Sequence, residues 1–154
     1  MEKEELAAVI GRYLDEHTVL NLATAGRDGA HAASVFYARL DFNLYWFSDP
    51  QTRHSMDIHR GLGCAGTVTD NAADYRDIQG LQLNGVAQVL TDDAEIKAGI
   101  DALVGRHDFL KEFMSGDGAG LMEKVSIYRF QPLCITWIDN SVSFGFKQSL
   151  DFNN

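Results

Sequence analysis

Proline is almost missing from this chain. It has two, Pro50 and Pro132, in 154 residues. No Pro-rich linker divides the sequence, and at this length one domain spanning 1–154 is expected. Cysteine is as sparse. Cys64 and Cys134 stand far apart and form no Cys-x-x-Cys pair, which removes a disulfide framework and leaves two buried thiols as the expectation. The five histidines show no metal-ligand spacing, and His54 and His59 are five apart, so no metal site is expected. Positive charge is also short: Lys plus Arg number 13 against 22 Asp plus Glu, for a net charge of −9. That balance repels nucleic acid and anionic membrane surfaces over long range, so neither is expected as a partner, although a local basic patch can hold one small anion. No apolar run approaches the length of a membrane span, and the first residues, MEKEEL, are acidic rather than basic-then-apolar. A cytoplasmic protein is expected.

A formal G-x-G-x-x-G is present, Gly61 to Gly66, but in the wrong order. A dinucleotide fingerprint follows a strand and opens a helix, whereas here a helix-like stretch precedes it and the β-branched run Thr67-Val68-Thr69 follows. The Ser115–Gly120 stretch, SGDGAG, lacks the Gly-Lys-Ser/Thr of a phosphate loop and reads as a plain loop.

What is present is a helix followed by hairpins. Leu6, Ile10, Tyr13 and Leu14 recur at helical spacing within Glu2 to Glu16. Val19, Leu20 and Leu22 open a strand, Gly26-Arg27-Asp28-Gly29 reads as a hairpin turn, and His31 to Arg39 as the return strand. A turn at Asp41-Phe42-Asn43 leads into the aromatic strand Leu44 to Ser48, and a helix is expected from Pro50 to Arg60. Strands follow at Cys64–Thr69 and Ile78–Leu90. Thr91 opens a helix with Asp92 and Glu95 spaced as a capping box, and Phe109 to Met114 adds a helical turn or two. Ser126–Phe130 and Leu133–Ile138 are strands broken at Pro132. Hairpin-linked strands with a few inserted helices imply an α+β fold, mainly antiparallel β, of about six strands.

The chemically informative stretch is Phe47-Ser48-Asp49-Pro50-Gln51-Thr52-Arg53-His54. A strand ends in a hydroxyl, and hydroxyl, guanidinium and imidazole then arrive together at a helix start. Such a start can hold a phosphate, with Ser48 and Thr52 as hydroxyl donors and Arg53 as a charged fork. The same residues have a plainer reading: Ser48 or Asp49 caps the helix, Gln51 completes a capping box with Ser48, and Arg53 is solvated.

In order along the chain, the hairpin Arg27–Ala30, the strand His31–Tyr37, Tyr45–Ser48, Thr52-Arg53-His54, Gly80–Gly85 and Ile135-Thr136-Trp137 resemble the pyridoxamine 5′-phosphate oxidase-like split barrels. The likeness is greatest to a small, poorly characterised bacterial branch marked by Thr52–His54, Ala65–Val68 and Gly145–Lys147. The resemblance implies an FMN-binding split β-barrel with peripheral helices, working as a homodimer. It implies that Ser34, Val35, Phe36 and Tyr37 line the flavin ring with backbone groups and that Phe47 and Ser48 lie beside the phosphate end. Thr52, Arg53 and His54 would hold the phosphate. Gln79 or Gln82, with Trp137 and Lys147, would complete the site across the dimer. Departures are equally specific. The oxidases' Arg and Lys on the flavin strand are Ala32 and Tyr37 here, and their substrate-binding Arg and His fall at Ser143 and Gly145. The resemblance therefore implies a flavin-dependent oxidoreductase acting on a small molecule, with a donor such as NAD(P)H, rather than a true pyridoxamine phosphate oxidase. The alternative is a non-enzymatic FMN store, or a binder of another flat anionic ligand such as haem or a deazaflavin. No catalytic side chain stands out.

Overall fold

The computed structural model describes residues 1–115 and 123–152. Helix α1 (Lys3–Glu16) buries the expected stripe of Leu6, Ile10, Tyr13 and Leu14. Strands β1 (Val19–Gly26) and β2 (Gly29–Phe36) form a hairpin whose two-residue turn is Arg27-Asp28, with Gly29 at φ 97°. Strands β3 (Ala38–Leu40) and β4 (Asn43–Ser48) form the next. Then come α2 (Arg53–His59), β5 (Cys64–Thr69), β6 (Gln79–Val89), α3 (Asp93–Arg106), α4 (Asp108–Met114), β7 (Ser126–Asp139) and β8 (Lys147–Asp151). The strands make one antiparallel sheet in the order β2-β1-β5-β6-β7-β4-β3, with β8 also on β7. The sheet curls far enough that β2 returns against β4.

Alternation divides the sheet into two faces. The inner face carries Leu20, Leu22, Trp46, Val68, Leu81, Leu83, Tyr128, Phe130, Ile135 and Trp137, which pack with α1 into the main core. A second core lies outside β3, β4 and the first half of β7. There Ala38, Tyr45 and Ile127 meet Leu103 of α3 and Leu110 of α4. Asp92 caps α3 by accepting from the Glu95 amide at 2.9 Å, as its spacing implies.

The α+β split barrel expected from the sequence is present, with differences in detail. There are eight strands among the described residues, not about six. The expected return strand His31–Arg39 breaks at Tyr37. That residue turns into the core, its phenol donates to Leu14 O at 2.6 Å, and its own carbonyl lies 2.6 Å from His107 Nε2. The expected break at Pro132 does not occur, because β7 runs through it. Register shifts there, so that Cys134 faces Asn84 and Pro132 faces Gly85, with Leu133 extra. On its other edge β7 pairs β4 only to Phe130 and β8 only from Cys134, so no partner there needs an amide from Pro132. The Gly116–Gly120 part of the expected SGDGAG loop lies outside the described residues.

Candidate functional site

Helix α2 begins at Arg53 rather than Pro50. Its cap is Thr52, whose side chain accepts from the Ser55 amide. Asp49 accepts from the Gln51 amide at 2.8 Å and so shapes the turn before the helix. Neither Ser48 nor Asp49 caps α2, and the hydroxyl of Ser48 is left for another partner. That partner is His54, with Nε2 2.8 Å from Ser48 Oγ and 3.3 Å from Thr52 Oγ1. Thr52 Oγ1 also lies 2.9 Å from Asp49 O and 2.7 Å from Ser55 Oγ. One hydroxyl proton serves only one of these acceptors at a time. Arg53 reaches back over the β1–β2 turn, where its guanidinium donates to Asp28 O at 3.2 Å.

Beneath this cluster lies a buried carboxylate. Asp57, one turn along α2, accepts from Thr24 Oγ1 at 2.9 Å. It sits so close under the hairpin that a Cβ on Gly26 would overlap its carboxylate. Opposite Thr24 in register is His31, so that imidazole also belongs to the inner face beside α2. Burial holds the His54 pKa below the usual imidazole value. The neighbouring His31 lowers it further, and Asp57 opposes both. His31, Thr24 and Asp57 are the members of this cluster that sequence reading missed. The parity of β2, with Val35 buried and His31 four residues earlier, was the available signal.

The other expected site residues separate into groups. Val35 and Tyr37 are core residues, and both backbone groups of Tyr37 are engaged, the amide with Thr18 O and the carbonyl with His107. Phe36 is half exposed and meets His107 and Phe109 edge-on. Phe47 points away from Ser48 to pack beside α3, against the second core. Gln79 and Trp137 line a cavity of about 430 Å³ beside α1, together with Tyr13, Arg12 and Phe146. Gln79 there donates to Asp139 Oδ2 at 3.1 Å.

Ser34, Gln82 and Lys147 face the opposite way. Two rows cross six strands on the outer face. One is Ser34, Asn21, Thr67, Gln82, Thr136 and Ser149, and the other is Ala32, Ala23, Ala65, Asn84, Cys134 and Asp151. All are exposed or partly exposed, and only Asp151 is charged. Lys147 stands on the same face, paired with Ile138. The structure thus brings Ser48, Thr52 and His54 together, and turns the neighbouring Arg53 onto the β1–β2 hairpin. It puts Gln79 and Trp137 on the inner side, with Ser34, Gln82 and Lys147 on the outer.

An antiparallel sheet curled around one apolar interior, with helices at its rim, is the split barrel of the pyridoxamine 5′-phosphate oxidase-like proteins. A pyridoxamine 5′-phosphate oxidase candidate from Listeria innocua superposes with a TM-score of 0.67 at 15% identity, covering 97% of this chain and 99% of that one. A heme binding protein from Mycobacterium smegmatis superposes at 0.72 and 18% identity, over 94% of this chain and 57% of that one. HutZ, the heme storage protein of Vibrio cholerae, gives 0.67 and 17% over 81% and 88%. In sequence the chain is similar to UPF0306 proteins. The relative in Haemophilus ducreyi is 29% identical over 112 residues, 70% of this chain and 76% of the relative. The relative in Photorhabdus laumondii is 27% identical over 149 residues, 96% of each. No family model matches the chain.

Proposed function

We propose that this chain binds FMN as a homodimer and serves as a flavin-dependent oxidoreductase for a small molecule. The observation that carries this reading is the convergence of Ser48, Thr52 and His54 from one strand end and one helix start, with the Arg53 guanidinium held on the adjoining hairpin turn. The donor set suits a phosphate monoester: two hydroxyls, a guanidinium held in place by a turn carbonyl, and an imidazole. It rests on side chains, since α2 has only seven residues and a short helix has little dipole to offer.

Bound FMN would supply hydride or electron transfer. The protein's part is orientation. Arg53, Thr52, Ser48 and His54 anchor the phosphate, while Ser34 to Phe36 offer a strand edge that, among the described residues, pairs with no strand but β1. Ser34 and Gln82 share a row but are three strands apart, about 14 Å at ordinary strand spacing. One subunit holds these groups too far apart to place both against one ring, which supports a partner subunit facing the outer sheet. An open sheet face almost without charge, on a chain of net charge −9, supports the same reading, since interface centres are depleted of charge. The phosphate of pyridoxamine phosphate finds no cation at Ser143 or Gly145. Both are exposed in the β7–β8 connection, so a different, weakly charged reactant with a donor such as NAD(P)H fits better.

The second reading is a store for FMN, or a binder of haem or a deazaflavin. Of these, haem is the ligand in the names of the Mycobacterium smegmatis and Vibrio cholerae neighbours. One experiment separates the two. The protein is purified, its absorbance recorded, and the released ligand weighed by mass spectrometry. A flavin spectrum that bleaches with NAD(P)H and recovers with a small acceptor is expected. A Soret band and released haem would overturn the flavin reading, and a flavin inert to every donor would leave a store.

A further inference from the structure

We propose that His31 and His54 form a proton-accepting clamp for a phosphate monoester, so that ligand binding takes up protons and tightens in mildly acidic solution. The proposal deepens the phosphate reading above and rests on it. Its first support is position. His31 comes from β2, across the hairpin from Thr24, and Thr24 is hydrogen-bonded to Asp57 on the buried side of α2. His54 comes from the first turn of α2, with Nε2 already against the hydroxyls of Ser48 and Thr52. His54 thus stands against the hydroxyl cluster, and His31, from a separate element, lies near enough for its charge to act on His54.

The second support is charge balance. Arg53 and Asp57 on α2 cancel. Arg27 and Asp28 in the hairpin turn cancel, and Asp49 before α2 adds a negative charge. Cys64 from β5 and Tyr128 from β7 stay neutral, since burial raises both pKa values. The fixed groups around the cluster therefore provide no net positive charge for a dianion. A phosphate left in such a half-dry setting without counter-charge is heavily disfavoured. Among the described residues, the nearby groups that can become cations are these two imidazoles and, at the far end of α2, His59, whose Nε2 lies 2.9 Å from the Tyr128 hydroxyl; imidazole is the side chain that changes charge near neutrality.

The direction follows. In the free protein, burial and the neighbouring His31 disfavour a charged His54. A dianion beside the pair reverses that preference, because each imidazolium then gains an opposite charge. Binding raises the imidazole pKa values, so affinity rises as pH falls through the values of the complex. The rise stops near pH 6, at about the second ionisation of a phosphate monoester, where the ligand itself loses charge.

The test uses the full chain. Calorimetric titrations with FMN, riboflavin and inorganic phosphate are run from about pH 8 to 6, in buffers of different ionisation enthalpy. Wild type, His31→Gln, His54→Gln and Arg53→Ala are compared, and the wild-type imidazole resonances are followed by NMR. The expected FMN affinity rises up to about tenfold per pH unit for each proton taken up. Riboflavin shows no such slope, and each His→Gln variant removes part of it. Absence of proton uptake in wild type, or a slope that survives both substitutions, overturns the clamp. FMN that binds through Arg53 with a flat pH profile removes the clamp and leaves the flavin reading standing. If FMN fails to bind while inorganic phosphate drives both imidazoles toward the charged form, the flavin reading falls and the clamp stands. Should a variant not fold, the wild-type resonances decide: no rise in either pKa with phosphate overturns the proposal.

Discussion

At the scale of single residues, Arg53 is the most direct probe of the phosphate reading. Its guanidinium is already directed by Asp28 O, so little ordering remains to be done when an anion arrives. A charge-assisted hydrogen bond contributes about 1.5–3 kcal/mol, or roughly ten- to a hundredfold in affinity. Arg53→Ala is expected to weaken FMN by that factor and to leave riboflavin nearly unchanged, as fluorescence titration of both ligands would show. Equal weakening of the two would make Arg53 a structural residue of the hairpin. Ser48, Thr52, Arg53 and His54 were legible in the sequence because one short run carries them all. His31 and Asp57 were not. Their nearness depends on the hairpin placing His31 across from Thr24 and on α2 turning Asp57 beneath it. Tyr37 shows the opposite effect: it is contiguous with Ser34 and Phe36 in sequence, yet a 2.6 Å bond to Leu14 O ties its phenol into the core.

At the scale of elements, the β6–β7 pair holds the two halves of the sheet together, and Gly85 marks its weakest tolerance. A Cβ at Gly85 would overlap the carbonyl oxygen of Gln131, a backbone atom that cannot swing aside. Gly85→Ala should therefore cost about 1–3 kcal/mol or more, read as a lower urea midpoint with an unchanged slope. Wild-type stability in that variant would show that the bulge relaxes freely. Strands with alternating apolar residues were legible. β5 spans Cys64–Thr69, the stretch expected from its β-branched run. β8 was not legible, because Lys147–Asp151 contains one apolar residue, Leu150. Its strand form comes from the ladder to Cys134–Ile138. α2 proved shorter than expected because the Asp49 turn takes up Gln51 and leaves the cap to Thr52.

At the scale of the molecule, the outer sheet face is where the dimer reading is tested. Thr67 stands in the middle of its polar row, where Asn21 donates to it at 3.4 Å. Thr67→Glu puts a carboxylate into a face that the dimer reading would bury. An uncompensated charge there costs several kcal/mol, so a monomer with unchanged circular dichroism is expected by sedimentation at micromolar concentration. A wild-type monomer, or a variant dimer of undiminished affinity, would count against the assembly. β7 has a further consequence, one of timing. It closes the barrel by joining β4, 86 residues earlier at Leu44↔Phe130, to β6 and β8. On the ribosome, β4 emerges with one edge bare and the apolar face of Trp46 uncovered until β7 appears. Contacts of such long sequence separation slow folding and lengthen the exposure of sticky intermediates. The yield of this protein is therefore expected to respond to synthesis rate and chaperone supply as well as to the stability of the finished barrel.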